Sequence, residues 1–279
     1  MSEKLPFIAV LITCFNRKQK TLECLNSLFD QIWLNDSFFI EVFLVDDGST
    51  DGTANAVAKD FPSVNIIKGD GNLYWNRGMH KAWSTASRKN KYDFYLWLND
   101  DITLFKNAIV ELLACYKLVG ESSIICGSTC SKISGNFTYG GKNQAGKPIV
   151  PDGAPRQCGV MNGNCVLISQ DIFKTVGFID PIFIHAIGDY DYGFRAQKKG
   201  YTIFTTRAYI AFCEDDTRLP KWCLQATPFK ERLKSLYSPL GNSHPYYYFI
   251  YEKRHFGILT AIKHFFSIHL RVIRPSLWE

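Results

Sequence analysis

No apolar run in this 279-residue chain approaches the ~20 residues of a membrane-spanning helix, so no helical span is expected. The opening Met1-Ser2-Glu3-Lys4-Leu5-Pro6 lacks the basic-then-apolar layout of a signal peptide, which makes the expected location cytoplasmic. Nine cysteines are present without a single Cys-x-x-Cys pair; scattered through apolar stretches, they read as reduced, buried thiols and not as a disulfide framework or zinc site. Internal repeats and low-complexity tracts are missing too. Charge of one sign is scarce over most of the length, because ten of the 32 Lys/Arg but only three of the 26 Asp/Glu lie between Thr217 and Glu279. With the basic residues confined to that tail and no recognised module present, no nucleic-acid partner is expected.

The residues that are present alternate strand and helix patterns. Phe7 to Thr13, Ile40 to Val45, Val64 to Ile67 and Phe94 to Leu98 are apolar runs of buried-strand type. Between them, helical spacing appears at Leu22, Leu25, Leu28, Phe29 and Ile32, then over Ala54 to Phe61 and Asn76 to Lys89. This predicts an α/β fold with a mostly parallel, Rossmann-like sheet flanked by helices. Further on, a helix is expected over 107–119, a strand near 124–129, a hairpin or mobile loop over 135–155, and a strand over 165–169. Helices over 170–176 and 189–199 and a strand over 202–205 complete the expected body. The predicted organisation is one domain over 1–216 and a basic helical extension over 217–279. In that extension Leu259, Ile262, Phe265, Phe266, His269, Val272 and Ile273 are assigned to one helical face, against Lys263, His264, Ser267, Arg271 and Arg274. That layout suits either peripheral contact with a membrane surface or packing on the protein or on a second copy in a homodimer. The aromatic run Tyr246 to Tyr251 suits an acceptor groove or a helix interface.

Chemistry concentrates where strands end. Val45-Asp46-Asp47-Gly48-Ser49 and Leu98-Asn99-Asp100-Asp101 each deliver carboxylates to the carboxyl edge of the sheet, where open α/β folds bind ligands. Such a site suits a nucleotide and a divalent metal. Asp46 and Asp47 are expected to meet the base and ribose, with Thr13 and Phe15 at the loop over the base and Asp100 at the ribose or at a metal-bound water. The glycine-bounded Gly69 to Gly78 segment is expected to fold over the donor, bringing Gly71 and Asn72, with Arg77 for a phosphate and Trp75 for a sugar face.

In order, Leu11-Ile-Thr-Cys-Phe-Asn-Arg17, Val45 to Asp51, Leu98 to Asp101, Asn162-Gly-Asn164, Gly177 to Pro181 and Gly188-Asp-Tyr-Asp-Tyr-Gly-Phe-Arg195 resemble the inverting nucleotide-sugar glycosyltransferases of family two, over roughly residues 7 to 215. The resemblance implies a GT-A fold. It also implies Mn²⁺ or Mg²⁺, a nucleoside-diphosphate sugar donor such as dTDP-rhamnose or a UDP-hexose, and a saccharide acceptor, with a lipid-linked one left open. On the matching positions Asp101 is the metal ligand, Asp189 the base, Arg17 part of the donor site, and Asn162, Gly163 and Asp191 part of the acceptor site. Asp191 and Arg195, four apart, also fit a local ion pair. Asn99 stands where the family's Asp-x-Asp has an acid, Gly188 stands where its base motif has Glu, and no histidine follows the last strand, leaving Cys213, Glu214 or His185 as open possibilities. Two other functions remain: a sugar-nucleotide nucleotidyltransferase, disfavoured by the absence of glycine in Thr13 to Arg17, and a non-catalytic nucleotide-sugar-binding module.

Overall fold

The computed structural model describes residues 4–215, 219–241 and 243–278. The predicted 216/217 boundary therefore lies outside the described residues. The first half alternates as β1 (Phe7–Cys14), α1 (Lys18–Phe29), β2 (Phe39–Asp46), α2 (Thr53–Asp60), β3 (Asn65–Lys68), α3 (Tyr74–Lys89) and β4 (Phe94–Leu98). Strands β1, β2 and β4 are buried on both faces, which is why they read as continuous apolar runs. Ile8, Val10 and Ile12 join one core with Leu25, Leu28 and Leu112, while Ala9 and Leu11 join another with Met79, Trp83 and Tyr192. Successive side chains point to opposite faces of a strand, so a single strand feeds both cores.

The remaining body comprises β5 (Thr103–Leu104), α4 (Ala108–Val119), β6 (Ser123–Cys130), β7 (Cys165–Ser169), α5 (Gln170–Val176), α6 (Gly188–Lys198) and β8 (Thr202–Phe212). The eight strands run β3-β2-β1-β4-β7-β6-β8-β5. Pairings β1/β2, β1/β4, β2/β3 and β6/β8 are parallel, whereas β7 is antiparallel to β4 and to β6, and β5 to β8. Parallel β1, β2 and β4 therefore bring Cys14, Asp46 and Leu98 to one edge.

Strand β8 and helix α1 depart from their expected bounds, whereas the hairpin and the buried thiols match expectation. Strand β8 runs on past Thr205, because Thr205 and Thr206 are buried with satisfied hydroxyls: the Arg156 and Ser128 N–H groups donate to them. Polar side chains there concealed the strand. The 135–155 segment contains a hairpin, in which Lys142 bridges Pro148 and Val160 and the Asn143 Oδ1 accepts from Ala145 and Lys147. Helix α1 stops at Phe29, short of Ile32. All nine cysteines are buried and free.

The extension forms α7 (Phe229–Leu236), α8 (Pro245–Phe256) and α9 (Ile258–Ile273), and no helix among the described residues is long and apolar enough to cross a membrane. In α8, Tyr247, Tyr248 and Tyr251 pack against Phe183, Ile187 and Phe194, so most of the aromatic run fills a helix interface. The apolar face expected of α9 is split. Val272 turns inward with Ala261 and Ile268, whereas Leu259, Ile262, Phe266 and Ile273 are exposed.

Candidate active site

The loops after β1 and β2 are laced together. The Thr50 N–H donates to Asn16 Oδ1, the Asn16 N–H to Ser49 Oγ, and the Lys18 N–H to Asp51. From this edge Arg17 Nη1 reaches both Asp100 Oδ1 and Asp101 Oδ2 at 3.0 Å. Burial pushes the Asp100 carboxyl up to about 6 even with Arg17 beside it. Arg17 is thus the nearer counter-ion of the acid pair, with Lys20 Nζ 3.9 Å from Asp101 Oδ2. Phe15 is half exposed at the rim, but Thr13 is buried against α3, where a Cβ on Gly78 would lie 2.2 Å from its Oγ1. Thr13 therefore packs against α3, where no side chain larger than that of Gly78 fits.

Asp46 accepts from the Ser49 N–H. Asp47 has a different task from the one expected: Oδ1 accepts from the Gly71 N–H, and Oδ2 from the Leu73 and Tyr74 N–H groups. Its carboxylate is occupied in holding the loop that opens α3, and Tyr74 sits there at φ 54°, a strained value for a side-chain-bearing residue. Gly71 is part of this turn, and Asn72 is exposed beside it. Trp75 packs edge-on against Trp97, and its Nε1–H donates to Asn99 Oδ1 at 2.7 Å. Asn99 in turn donates from Nδ2 to Asn164 Oδ1. A carboxylate cannot donate that second bond, which gives Asn99 a structural reason to replace the family's acid. Arg77 donates from Nε to the Pro181 carbonyl, anchoring the segment before α6.

Asp189 lies in the first turn of α6 and accepts from the Gly163 and Tyr190 N–H groups at 2.8 and 2.9 Å. Burial raises its carboxyl to about 6, poised to take a proton near neutral pH. Trp75, Gly163 and Asp189 converge: a Cβ on Gly163 would lie 2.6 Å from Trp75 and 3.0 Å from Asp189. Asn162 lies beside them and accepts from the Asn164 N–H. The position of the missing glutamate is filled from α3, since a Cβ on Gly188 would lie 1.6 Å from Asn76 Oδ1. Asn76 is fully buried and donates to the carbonyls of Asp180 and Phe183. Just before Gly188, Ile187 has φ 77°, a value rare for a β-branched residue, so backbone strain adjoins Asp189.

Asp191, expected at the acceptor, points into the protein. Its side chain has no exposure and is held by Arg195 Nε, Arg254 Nη1 and His255 Nε2, each at 2.8 Å. Burial alone would raise its pKa, but the bonds from His255 and Arg195 and the nearby arginine charges hold it below the ordinary carboxylate range. The expected pair with Arg195 exists, buried and not superficial. Arg254 also binds Asp180 at 2.9 Å.

The site's fit to a divalent metal turns on Asp101, whose Oδ1 is buried without a bonding partner. No group of three His, Cys, Asp or Glu among the described residues forms a cation cage. That combination suits a hard cation held by one carboxylate and completed by substrate phosphates. Glu214 instead accepts from the Lys132 N–H, and the Cys213 thiol is pushed up to about 12 by burial and then by Asp101, leaving a neutral thiol. His185 keeps a buried Nδ1 without a partner and titrates below its ordinary value because of burial and Arg17.

Sequence reasoning missed Asn76, Arg254 and His255. The only sequence signal for Asn76 was the unexplained glycine at 188. Arg254 and His255 lie more than sixty residues from their partner, beyond any local pattern.

The chain is similar to known glycosyltransferases in sequence and in fold. The glycosyltransferase AglE of Haloferax volcanii is 24% identical over 248 residues, covering 84% of this chain and 72% of AglE. Among solved structures, the mannosyltransferase PcManGT of Pyrobaculum calidifontis, in complex with GDP-Man and Mn²⁺, matches with TM-score 0.56 at 14% identity, covering 94% of this chain and 74% of that one. GalNAc-T7 with UDP, GalNAc and Mn²⁺ matches with TM-score 0.59 at 14% identity, over 84% of this chain and 48% of that one. These likenesses establish a GT-A-type fold. The sequence pattern described as Glycosyl transferase family 2 matches residues 9–177, more than half the chain, and the protein belongs to that family.

Proposed function

We propose that this protein is an inverting glycosyltransferase that moves a sugar from a nucleoside-diphosphate donor to a saccharide hydroxyl. The single observation that carries this reading is Asp189, a carboxyl raised to about 6 and aimed by two backbone N–H groups beside the Trp75 ring. Inversion needs a base on the face opposite the leaving group. The acceptor O–H gives its proton to Asp189 as the new bond to the anomeric carbon forms. The bond to the diphosphate oxygen breaks, and its electron pair stays with the departing phosphate. Arg17, half exposed beside the acid pair, would turn toward that developing charge. Asp101 would hold Mn²⁺ or Mg²⁺, which would supply Lewis-acid stabilisation of the leaving diphosphate. Trp75 offers a ring to a sugar face, and Asp46 and Phe15 border the nucleoside end.

The donor is proposed to be dTDP-rhamnose or a UDP-hexose. The acceptor is proposed to be a saccharide of a bacterial-style O-antigen, capsule or other cell-surface polysaccharide, in lipid-linked form. The residues up to 215 form the catalytic unit in this reading, and those from 219 onward its extension. Incubation with a panel of sugar nucleotides and Mn²⁺ tests it. Release of nucleoside diphosphate supports transfer, pyrophosphate would indicate a nucleotidyltransferase, and no release from any donor would leave a binding module.

A further inference from the structure

Helix α9 carries two apolar faces. Ala261, Ile268 and Val272 turn inward, the last two packing with Trp222, Cys223 and Leu236. The second face is bare: Leu259, Ile262, Phe266, Leu270 and Ile273 are exposed, Leu259 by 80% and Phe266 by 68%. At ~100° per residue these five fall within an arc of about 80° around the helix axis. On one flank stand Lys263 and Arg274, both exposed. On the other, Phe265 helps wall an open groove of about 330 Å³ with Tyr237, Tyr246 and Phe249. Helix α7, packed on α9, adds exposed Phe229 and Leu233 interleaved with Lys230 and Lys234.

A continuous exposed stripe of this kind calls for an occupant. Charge decides which. The segment from Thr217 onward holds ten Lys/Arg against three Asp/Glu, so a second copy docked face to face would set like charge against like. Anionic lipid headgroups would instead attract the flanking cations. An apolar stripe with aromatic residues on one side and cations on the other is the layout of a helix lying in the plane of a bilayer surface. We propose that α9 seats the protein on an anionic membrane, with the five apolar side chains among the acyl chains and Lys263 and Arg274 at the headgroups. This docking does not depend on the transfer chemistry.

Co-sedimentation of the full chain with phosphatidylcholine vesicles, with and without phosphatidylglycerol, tests the proposal. The unaltered protein should bind the anionic vesicles preferentially. Leu259→Glu combined with Phe266→Glu should lower that binding by roughly tenfold or more, with an unchanged circular dichroism spectrum and melting temperature, since both side chains are already exposed. Lys263→Glu with Arg274→Glu should remove the preference for anionic lipid and supplies a second reading if the first pair fails to fold. Absence of binding to either vesicle would overturn the proposal. So would a concentration-dependent dimer that the Leu259/Phe266 pair abolishes while vesicle binding persists.

Discussion

Replacing Asp189 by Asn should nearly abolish transfer and, above neutral pH, make the protein more stable. Burial raises this carboxyl from its ordinary 3.8 to about 6. Ionising it in the folded chain therefore costs roughly 3 kcal/mol at ~1.4 kcal/mol per pH unit, and about 2 after allowance for its partial exposure to water. Because the folded carboxyl titrates higher than the unfolded one, its contribution to stability is complete below about pH 3.8 and is lost as the pH rises through about 6. Asn carries no such loss. It does sacrifice one of the two backbone bonds from Gly163 and Tyr190, since an amide offers only one acceptor oxygen, at a cost of about 1 kcal/mol. The variant should thus melt below the parent at about pH 4 and above it at about pH 8. A swing of about 2 kcal/mol corresponds to roughly 4–8 °C in a protein of this size. Transfer should fall by ~10²–10⁴-fold with donor affinity changed little, and the parent's own rate should decline below about pH 6 as the base protonates. Melting curves across that range, together with nucleoside diphosphate release, provide the measurements. A variant that melts in parallel with the parent at every pH and keeps its turnover would refute both the burial argument and the role of the base.

Asp191→Asn should cost about 3–5 kcal/mol, because it strips the common partner from Arg195, Arg254 and His255 inside the protein; urea titration measures it. The stabilisation that Asp191 provides is present above about pH 3.8 and is lost as the pH falls below that, the opposite sign to Asp189, because its folded pKa is depressed. Asp101→Asn should leave the fold intact and remove Mn²⁺-dependent turnover, and EDTA should inhibit the parent; full activity in EDTA would contradict a metal at Asp101. Gly188→Glu, which restores the family's acid, should destabilise by about 3 kcal/mol or more through collision with Asn76, seen as loss of soluble protein or a lowered melting temperature. Asn99→Asp should cost about 1–3 kcal/mol by losing the bond to Asn164 and adding a third carboxylate beside Asp100 and Asp101, and a melt at neutral pH checks it.

The β-α alternation up to Leu98 was legible because strands buried on both faces must be apolar throughout, and helices lying over them repeat every three or four residues. The direction of β7 was not legible. A five-residue apolar run reads the same parallel or antiparallel, and only its pairing with β4 and β6 distinguishes the two. Edge strand β5, two residues long, carries no periodicity at all. In the site, the acidic strand ends marked the edge correctly, yet residue type alone could not separate Asp46 from Asp47. That distinction depends on three backbone N–H groups presented by a loop more than twenty residues away. Asn99 and Gly188 looked like losses from a pattern. Each has a local cause, a bond to Asn164 and the encroaching Asn76, which no single position of the sequence displays.

The contact of Arg254 and His255 with Asp191 has a consequence for biosynthesis. Helix α6 carries an acid two of whose partners, Arg254 and His255, are 63 and 64 residues further along. At ~5–20 residues per second, a ribosome needs roughly 3–13 s to supply them after Asp191 has been made. During that interval the helix bearing Asp189 holds a carboxylate with only Arg195 to neutralise it, and an interior that admits this acid cheaply does not yet exist. All eight strands precede Arg254, so the sheet can assemble before α8 arrives to complete the surroundings of α6. A nascent chain stalled or cleaved before Arg254 would hold every strand of the sheet but leave Asp191 with one of its three partners.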